Sequence, residues 1–143
     1  MPDELKCRVQ FQEHTFFNPQ PLQADVYLLK LILHDWPEAE SIKILRGLVP
    51  AMRPGSKVLF IDYVGKQEGS KDGKSEDVVA LPRSIKAMGT ATDIRMMALF
   101  NARERAVDEW KGVFAAADPR FEVTRVKADP LSFMVVMEVV WRE

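Results

Sequence analysis

Two apolar runs separated by an amphipathic segment dominate the hydrophobic pattern of the chain. Val26 to Leu33 is apolar at nearly every position except Lys30, which is typical of a strand buried on both faces. Lys57 to Val64 predicts a second buried strand. The segment between them has apolar residues every three to four positions and stops at Pro54-Gly55, which predicts a helix. Strand, helix and strand in this order predict a βαβ unit and therefore an α/β fold.

Local signals predict where the helix starts and what precedes the first buried strand. Asp35 can accept a hydrogen bond from the amide of Glu38 while the Glu38 side chain reaches back, and Pro37 suits a first turn. The pattern therefore predicts a capping box at Asp35. Upstream, Arg8 to His14 alternates apolar and polar residues, which predicts a short, half-buried strand.

The second half of the chain predicts two helices and a hairpin. Thr92 to Phe100 and Val107 to Ala117 show helical periodicity. Phe121 to Val126 and Leu131 to Trp141 predict two strands joined by a short turn, hence an antiparallel hairpin at the sheet edge. Gly65 to Lys86 is rich in Gly, Ser and charged residues and has no sustained period, which predicts a mobile loop.

Composition restricts the classes of function. The chain has 143 residues, 47% hydrophobic and 29% charged, so residues 1–143 are expected to form one globular domain. The net charge of −1, with both signs interleaved, argues against nucleic-acid binding. The single cysteine excludes an intramolecular disulfide, and Cys7, His14 and His34 lack metal-ligand spacing. No apolar run has signal-peptide character or the roughly 20 residues that span a bilayer, so we expect a cytoplasmic protein without membrane contact.

Candidate chemistry lies at the carboxyl ends of the two predicted parallel strands, where ligands of open α/β sheets bind. His34 follows the first strand and Asp62 lies at the end of the second. Histidine, with an ordinary pKa of about 6.5, accepts a proton near neutral pH, and a nearby carboxylate stabilises its protonated form. Asp62 and Glu104 are the candidate carboxylates. From the residues alone, a structural histidine before a helix is the more frequent alternative.

Five segments, in this order and spacing, resemble the C-terminal half of plant and fungal S-adenosylmethionine-dependent O-methyltransferases of the caffeate/flavonoid type. The fungal members, which act on aromatic and polyketide phenols of secondary metabolism, look most similar. The segments are Asp25-Val-Tyr-Leu-Leu-Lys30, Leu33-His-Asp-Trp-Pro37, Lys57-Val-Leu-Phe-Ile-Asp62, Asp93-Ile-Arg-Met-Met-Ala-Leu-Phe-Asn-Ala-Arg-Glu-Arg105 and Glu138-Val-Val-Trp-Arg-Glu143.

The resemblance implies specific roles for matching residues. His34 would be the general base that deprotonates a phenol while its oxygen attacks the methyl group of S-adenosylmethionine. Asp62 and Glu104 would orient this base. Since position 62 is usually glutamate in the plant enzymes, we expect the shorter carboxylate to make a weakened or water-bridged contact with His34. Phe16 and Lys30 match cofactor-contacting positions, and three residues match the helix that lines the acceptor pocket: Met96, Met97 and Asn101.

The resemblance also implies a partial Rossmann-like methyltransferase fold. The family's sheet order is 3-2-1-4-5-7-6, and the chain would hold strands 3 to 7. The first two strands, the glycine-rich cofactor turn and the dimerisation domain would lie before Met1. Strand 26–33 would then be an apolar sheet edge with unpaired backbone groups. We expect either Arg8 to His14 or a second chain to pair with it, as a homodimer or in association with another methyltransferase chain.

Three functions remain open. The first is an O-methyltransferase of fungal secondary metabolism, although the absent cofactor contacts leave methyl transfer by the isolated chain in doubt. The second is a cofactor-independent cyclase or isomerase that uses His34, Asp62 and Glu104 on a polyketide-type substrate. The third is a non-catalytic partner subunit or a degenerate fragment.

Overall fold

The computed structural model describes residues 2, 7–63, 91, 94–103, 105–129 and 134–143, with the backbone alone at residues 128 and 129. Four strands lie within this part of the chain: β1 (Val26–Lys30), β2 (Lys57–Tyr63), β3 (Phe121–Asp129) and β4 (Met134–Trp141). They form one sheet in the order β1-β2-β4-β3. Strands β1 and β2 are parallel, and β4 is antiparallel to both β2 and β3. This order matches the 4-5-7-6 portion of the expected sheet, so the α/β prediction and the hairpin are confirmed.

Two helices cover one face of this sheet. Helix α1, Glu38–Leu48, connects β1 to β2, and helix α2, Val107–Ala117, precedes the hairpin. Alternate residues of β2 point into the core, where the Phe60 ring lies 4.9 Å from the Trp110 ring. Burial of each such large apolar side chain contributes about 1.5–3 kcal/mol. The residues of these two helices in this core are Ile44, Leu45, Leu48, Trp110, Val113, Phe114 and Ala117.

Strand β1 is shorter and less buried than the apolar run predicts. It ends at Lys30, three residues before the predicted end. Tyr27 and Leu29 face the core, whereas Val26 and Leu28 are 54% and 59% exposed. The prediction of burial on both faces is therefore wrong, because the core of the described residues lies on one side of this strand.

The N-terminal segment does not form the predicted strand. Residues 8–14 have no strand pairing, and Phe11 is 87% exposed. The prediction that Arg8 to His14 pairs with β1 is wrong, since alternation alone does not form a strand without hydrogen-bonded neighbours. The chain instead attaches to α1 further on, where the Gln20 N–H donates to the Gly47 carbonyl at 2.8 Å. Pairing of β1 with a second chain stays a prediction.

The predicted capping box is also wrong. Helix α1 begins at Glu38 with Pro37 as its N-cap, and no side chain caps it. Asp35 lies in a separate 3-10 turn, Leu33–Asp35, and the extended backbone of Trp36 separates it from the helix. Its carboxylate is consequently available to another partner.

The remaining predictions are partly confirmed. Helix α2 has the predicted bounds, and residues 94–100 are helical. The apolar side chains of that segment are largely exposed, with Met97 at 62%, whereas Met96 is buried. The strands of the hairpin shift, because β3 extends to Asp129 and β4 begins at Met134. Residues 65–86, the predicted mobile loop, lie outside the described residues.

Candidate active site

A sharp bend at Leu31 positions the candidate base. Leu31 has φ 55°, in the left-handed region that costs a side-chain-bearing residue on the order of 1–3 kcal/mol. Its N–H nevertheless continues the sheet by donating to the Ile61 carbonyl at 2.8 Å. The 3-10 turn Leu33–Asp35 follows at once. The bend therefore brings His34 beside the end of β2 instead of extending it in line with β1.

The buried carboxylate of Asp62 holds His34 by both its ring and its backbone. His34 Nδ1 lies 2.6 Å from Asp62 Oδ1, and the His34 backbone N–H donates to Asp62 Oδ2 at 3.3 Å. The Tyr63 N–H donates to Oδ1 at 2.8 Å. Asp62 is fully buried and His34 nearly so. The contact is direct and not bridged by water as the sequence allowed, because the bend at Leu31 brings the ring within reach of the shorter side chain.

A second carboxylate faces the opposite nitrogen of the imidazole. Asp35 Oδ1 lies 3.2 Å from His34 Nε2, and its side chain is 37% exposed. The Nδ1 contact with Asp62 Oδ1 at 2.6 Å is attractive only when one of the two atoms carries a proton, since two acceptors would repel. Two flanking carboxylates stabilise the imidazolium. This arrangement therefore suits the protonated ring, which is the state that a general base reaches after it has taken a proton.

A buried arginine packs beside this pair. Arg105 donates from Nη2 to the Trp36 carbonyl at 3.1 Å, and its guanidinium carbon lies 4.8 Å from the Trp110 ring centre. Trp110 Nε1 donates to the Tyr63 carbonyl at 3.2 Å, and the Tyr63 ring contacts His34 edge-on. These contacts join the His34 turn, the end of β2 and the start of α2.

Sequence reasoning misses the roles of Asp35 and Arg105. The pattern assigns Asp35 to a helix cap and Arg105 to the ordinary charges before a helix. The sequence offers one signal for each residue, its position next to a candidate site residue. Asp35 directly follows the candidate base, and Arg105 directly follows the candidate acid Glu104. Neither signal distinguishes a contact in the site from a solvated charge without the fold.

The predicted cofactor residues lie near the same corner. The Phe16 ring lies edge-on to Trp36, with ring centres 5.7 Å apart, and Phe17 also contacts Trp36 at 4.8 Å. Phe16 is partly exposed. Lys30 is exposed at the carboxyl end of β1. Phe16 therefore contacts Trp36, the residue that directly follows the turn carrying His34.

The predicted acceptor residues differ in exposure. Met96 is buried, whereas Met97 and Asn101 are exposed. Asn101 has φ 51°, a conformation that asparagine tolerates, and it ends the helical segment 94–100. Glu104, the predicted second acid, lies outside the described residues.

The described part of the chain lacks two features that would suggest other chemistry. No group of three or more His, Cys, Asp or Glu side chains there could hold a metal ion. No helix among those residues combines the length and apolar character needed to cross a membrane.

Known proteins similar to this chain include O-methyltransferases of fungi. O-methyltransferase AMT9 of Alternaria alternata is 38% identical over 99% of this chain and 31% of its own length. O-methyltransferase fsr2 of Gibberella fujikuroi is 40% identical over 100% of this chain and 35% of its own length. The chain therefore spans about a third of the length of these curated relatives.

Solved structures agree with the sheet and helices described above. LepI in complex with SAM aligns with a TM-score of 0.70 and 26% identity over 91% of this chain and 29% of its own. A structure described as a pericyclic reaction enzyme aligns with the same TM-score and 27% identity over the same shares. The family model for the O-methyltransferase domain matches residues 2–118. Since this match covers most of the chain, the protein belongs to the O-methyltransferase domain family.

Proposed function

We propose that this chain carries the proton-accepting site of an S-adenosylmethionine-dependent O-methyltransferase of fungal secondary metabolism, with His34 as general base. The observation that supports this most strongly is the 2.6 Å contact between His34 Nδ1 and the fully buried Asp62. A buried carboxylate fixes the ring orientation and leaves Nε2 as the nitrogen that accepts a proton. Membership in the O-methyltransferase family supplies the reaction class.

The proposed chemistry is methyl transfer to a phenolic oxygen. A phenol with an ordinary pKa of about 10 is a poor nucleophile at neutral pH, so its proton must leave as the oxygen attacks. S-adenosylmethionine supplies the methyl group when it is bound: the oxygen–carbon bond forms as the sulfur–carbon bond breaks. His34 Nε2 takes the phenolic proton, and Asp62 stabilises the resulting imidazolium. Asp35 moves away from Nε2 to admit the phenol. After the proton transfer it returns to the position seen in the structure, with Oδ1 3.2 Å from Nε2, and stabilises the protonated ring.

The residues that would hold the ligands follow from the same proposal. Phe16 offers an exposed aromatic edge beside Trp36, which fits a flat base such as adenine. Lys30 lies at the carboxyl end of β1, where ligands of such sheets bind. Glu104 is proposed as the second acid that orients the base. The proposed contacts of the aromatic or polyketide acceptor are Met96, Met97 and Asn101.

A second candidate is proton-assisted cyclisation or isomerisation of a polyketide-type substrate without methyl transfer. The similarity to a structure described as a pericyclic reaction enzyme, at 27% identity, supports this second candidate. Proton transfer by His34 does not require a methyl donor, so the same base would serve this chemistry. Binding to another methyltransferase chain through β1 is the non-catalytic alternative.

A radiolabelled methyl-transfer assay tests the first proposal. The chain is incubated with tritiated S-adenosylmethionine and a panel of phenols, alone and after mixing with a longer homologue made inactive by substitution of its own base. We expect H34A to lower turnover by about 100-fold or more, which is the usual contribution of a general base. The matched control H14A removes the exposed histidine and should leave turnover unchanged. Unchanged turnover in H34A would overturn the role of His34.

Calorimetry separates the alternatives. Micromolar binding of S-adenosylmethionine by the chain would exclude the cofactor-free candidate. Binding that occurs only after mixing with the inactive homologue would support the partner alternative.

The radiolabelled assay also tests the cyclase alternative. Conversion of a polyketide substrate without transfer of the tritiated methyl group would support the cyclase and contradict the methyltransferase proposal.

A further inference from the structure

Arg105 is a buried cation that the proposed proton transfer does not use. Its side chain is 1% exposed, and of its donors Nη2 bonds the Trp36 carbonyl at 3.1 Å. Nε and Nη1 have no hydrogen-bond partner among the described residues. A buried donor without a partner destabilises a fold, so this guanidinium lowers stability at its position unless its charge offsets the loss.

The charges around Arg105 include the acid of the candidate site. Burial lowers the pKa of Arg105, Arg103 lowers it further, and the carboxylates of Glu38, Glu109 and Asp62 oppose this change. An arginine remains charged despite such a decrease. Asp62, whose carboxylate lies 2.6 Å from the His34 ring, is thus one of the three carboxylates whose charge acts on Arg105.

The hydrogen bond of Arg105 acts on the same turn from the other side. Trp36 follows His34 by two residues, and its carbonyl accepts from Nη2. The stacking of Arg105 on Trp110 ties this carbonyl to the first residues of α2. Movement of the guanidinium would consequently move the turn that carries His34 as well as the charge near Asp62.

We propose that Arg105 is a positioning residue that sets the proton affinity of His34 through Asp62. Its positive charge competes with the imidazolium for the Asp62 carboxylate and so keeps the ring able to release its proton between turnovers. This inference rests on the proposed function, in which His34 is the base. The groups that face the ring in the described structure are Asp62 and Tyr63 of β2, Asp35 of its own turn, and Arg105 through Asp62.

An NMR titration of the histidine rings tests this inference. The chain has two histidines, so protein labelled with nitrogen-15 in histidine gives two sets of ring signals, with exposed His14 as the internal reference. In R105Q, which keeps a donor but loses the charge, we expect the His34 midpoint to rise by about half a pH unit or more. In R105K, which keeps the charge, it should stay within about 0.2 pH units of the wild-type value. R103Q removes an exposed cation and should move it little.

Two outcomes would overturn the inference. One is a His34 midpoint that stays or falls in R105Q; the other is an equal change in R105Q and R105K, as expected of a purely structural role. If R105Q does not give a dispersed spectrum, R105K decides, and a change of about half a pH unit there contradicts the charge argument. Since the titration observes the ring and not turnover, its outcome is independent of the methyl-transfer assay.

Discussion

Substitution of Asp62 by asparagine should destabilise the folded chain strongly, because it removes the charge that holds the His34 turn. The asparagine side chain has nearly the same shape as that of aspartate, so packing is preserved. Only one side-chain oxygen would remain for the three nitrogen atoms that the carboxylate contacts in the structure. Those atoms are His34 Nδ1, the His34 backbone N and the Tyr63 backbone N.

The expected magnitude follows from burial. Hydrogen bonds to a charged group contribute about 1.5–3 kcal/mol each, and removal of one partner from a buried ion pair costs about 3–5 kcal/mol. Asp62 is fully buried, and the amide NH₂ of the substituted side chain would face at least one of the existing donors. We therefore expect D62N to lower the free energy of unfolding by about 3 kcal/mol.

Urea denaturation followed by tryptophan fluorescence measures this change, because Trp110 is buried in the core. The matched control is D35N, which removes the partly exposed carboxylate on the other side of the ring. It should cost less than about 1 kcal/mol, as exposed ion pairs do. A loss in D62N that is no larger than that in D35N would refute the argument that buried Asp62 holds the turn.

Three further substitutions test the fold around the site by the same denaturation assay. G47A should be at least about 1 kcal/mol less stable than G112A, because a Cβ at Gly47 would lie 3.0 Å from a backbone oxygen while one at Gly112 meets nothing within 4 Å; equal stabilities would contradict the close approach. L31G should change stability by less than about 1 kcal/mol, since relief of the left-handed φ offsets lost contacts, whereas L29G in β1 should cost more than about 2 kcal/mol; a loss in L31G as large as in L29G would argue against strain. R46A should cost about 1–2 kcal/mol, because Arg46 Nε and Nη2 donate to the last carbonyls of α2 at 3.1 and 3.0 Å; an unchanged midpoint would show that this cap contributes nothing.

The βαβ unit and the hairpin were predictable from sequence because their signals are local. Helical periodicity between two apolar runs, and a glycine at the turn after the helix, are sufficient to predict these elements. Gly55 indeed has φ 87°. The burial of β1 was not predictable in the same way, since an apolar residue such as Leu28 is buried only if another element covers it. The strand predicted over residues 8–14 was wrong for a similar reason, because a strand forms only where a neighbouring strand is available for pairing.

The site was predictable in its main pair and not in its surroundings. His34 and Asp62 follow from the rule that ligands bind at the carboxyl ends of parallel strands, strengthened by the family resemblance. The contact of Asp35 with the ring depends on the left-handed backbone of Leu31, for which the sequence has no glycine to signal it. The burial of Arg105 depends on its stacking against Trp110 and on its contact with the Trp36 carbonyl across the fold, so composition and spacing could not distinguish it from a surface charge.

Chemical rescue of a histidine deletion tests most directly whether His34 is the base. In H34G, in whichever preparation shows methyl transfer, added imidazole can occupy the space left by the ring and accept the phenolic proton in its place. We predict that H34G loses turnover by about 100-fold or more and that imidazole restores it in a saturable manner, with greater recovery at higher pH as free imidazole becomes neutral. Full turnover in H34G without imidazole, or a loss that imidazole does not reverse in correctly folded protein, would contradict a catalytic role for His34.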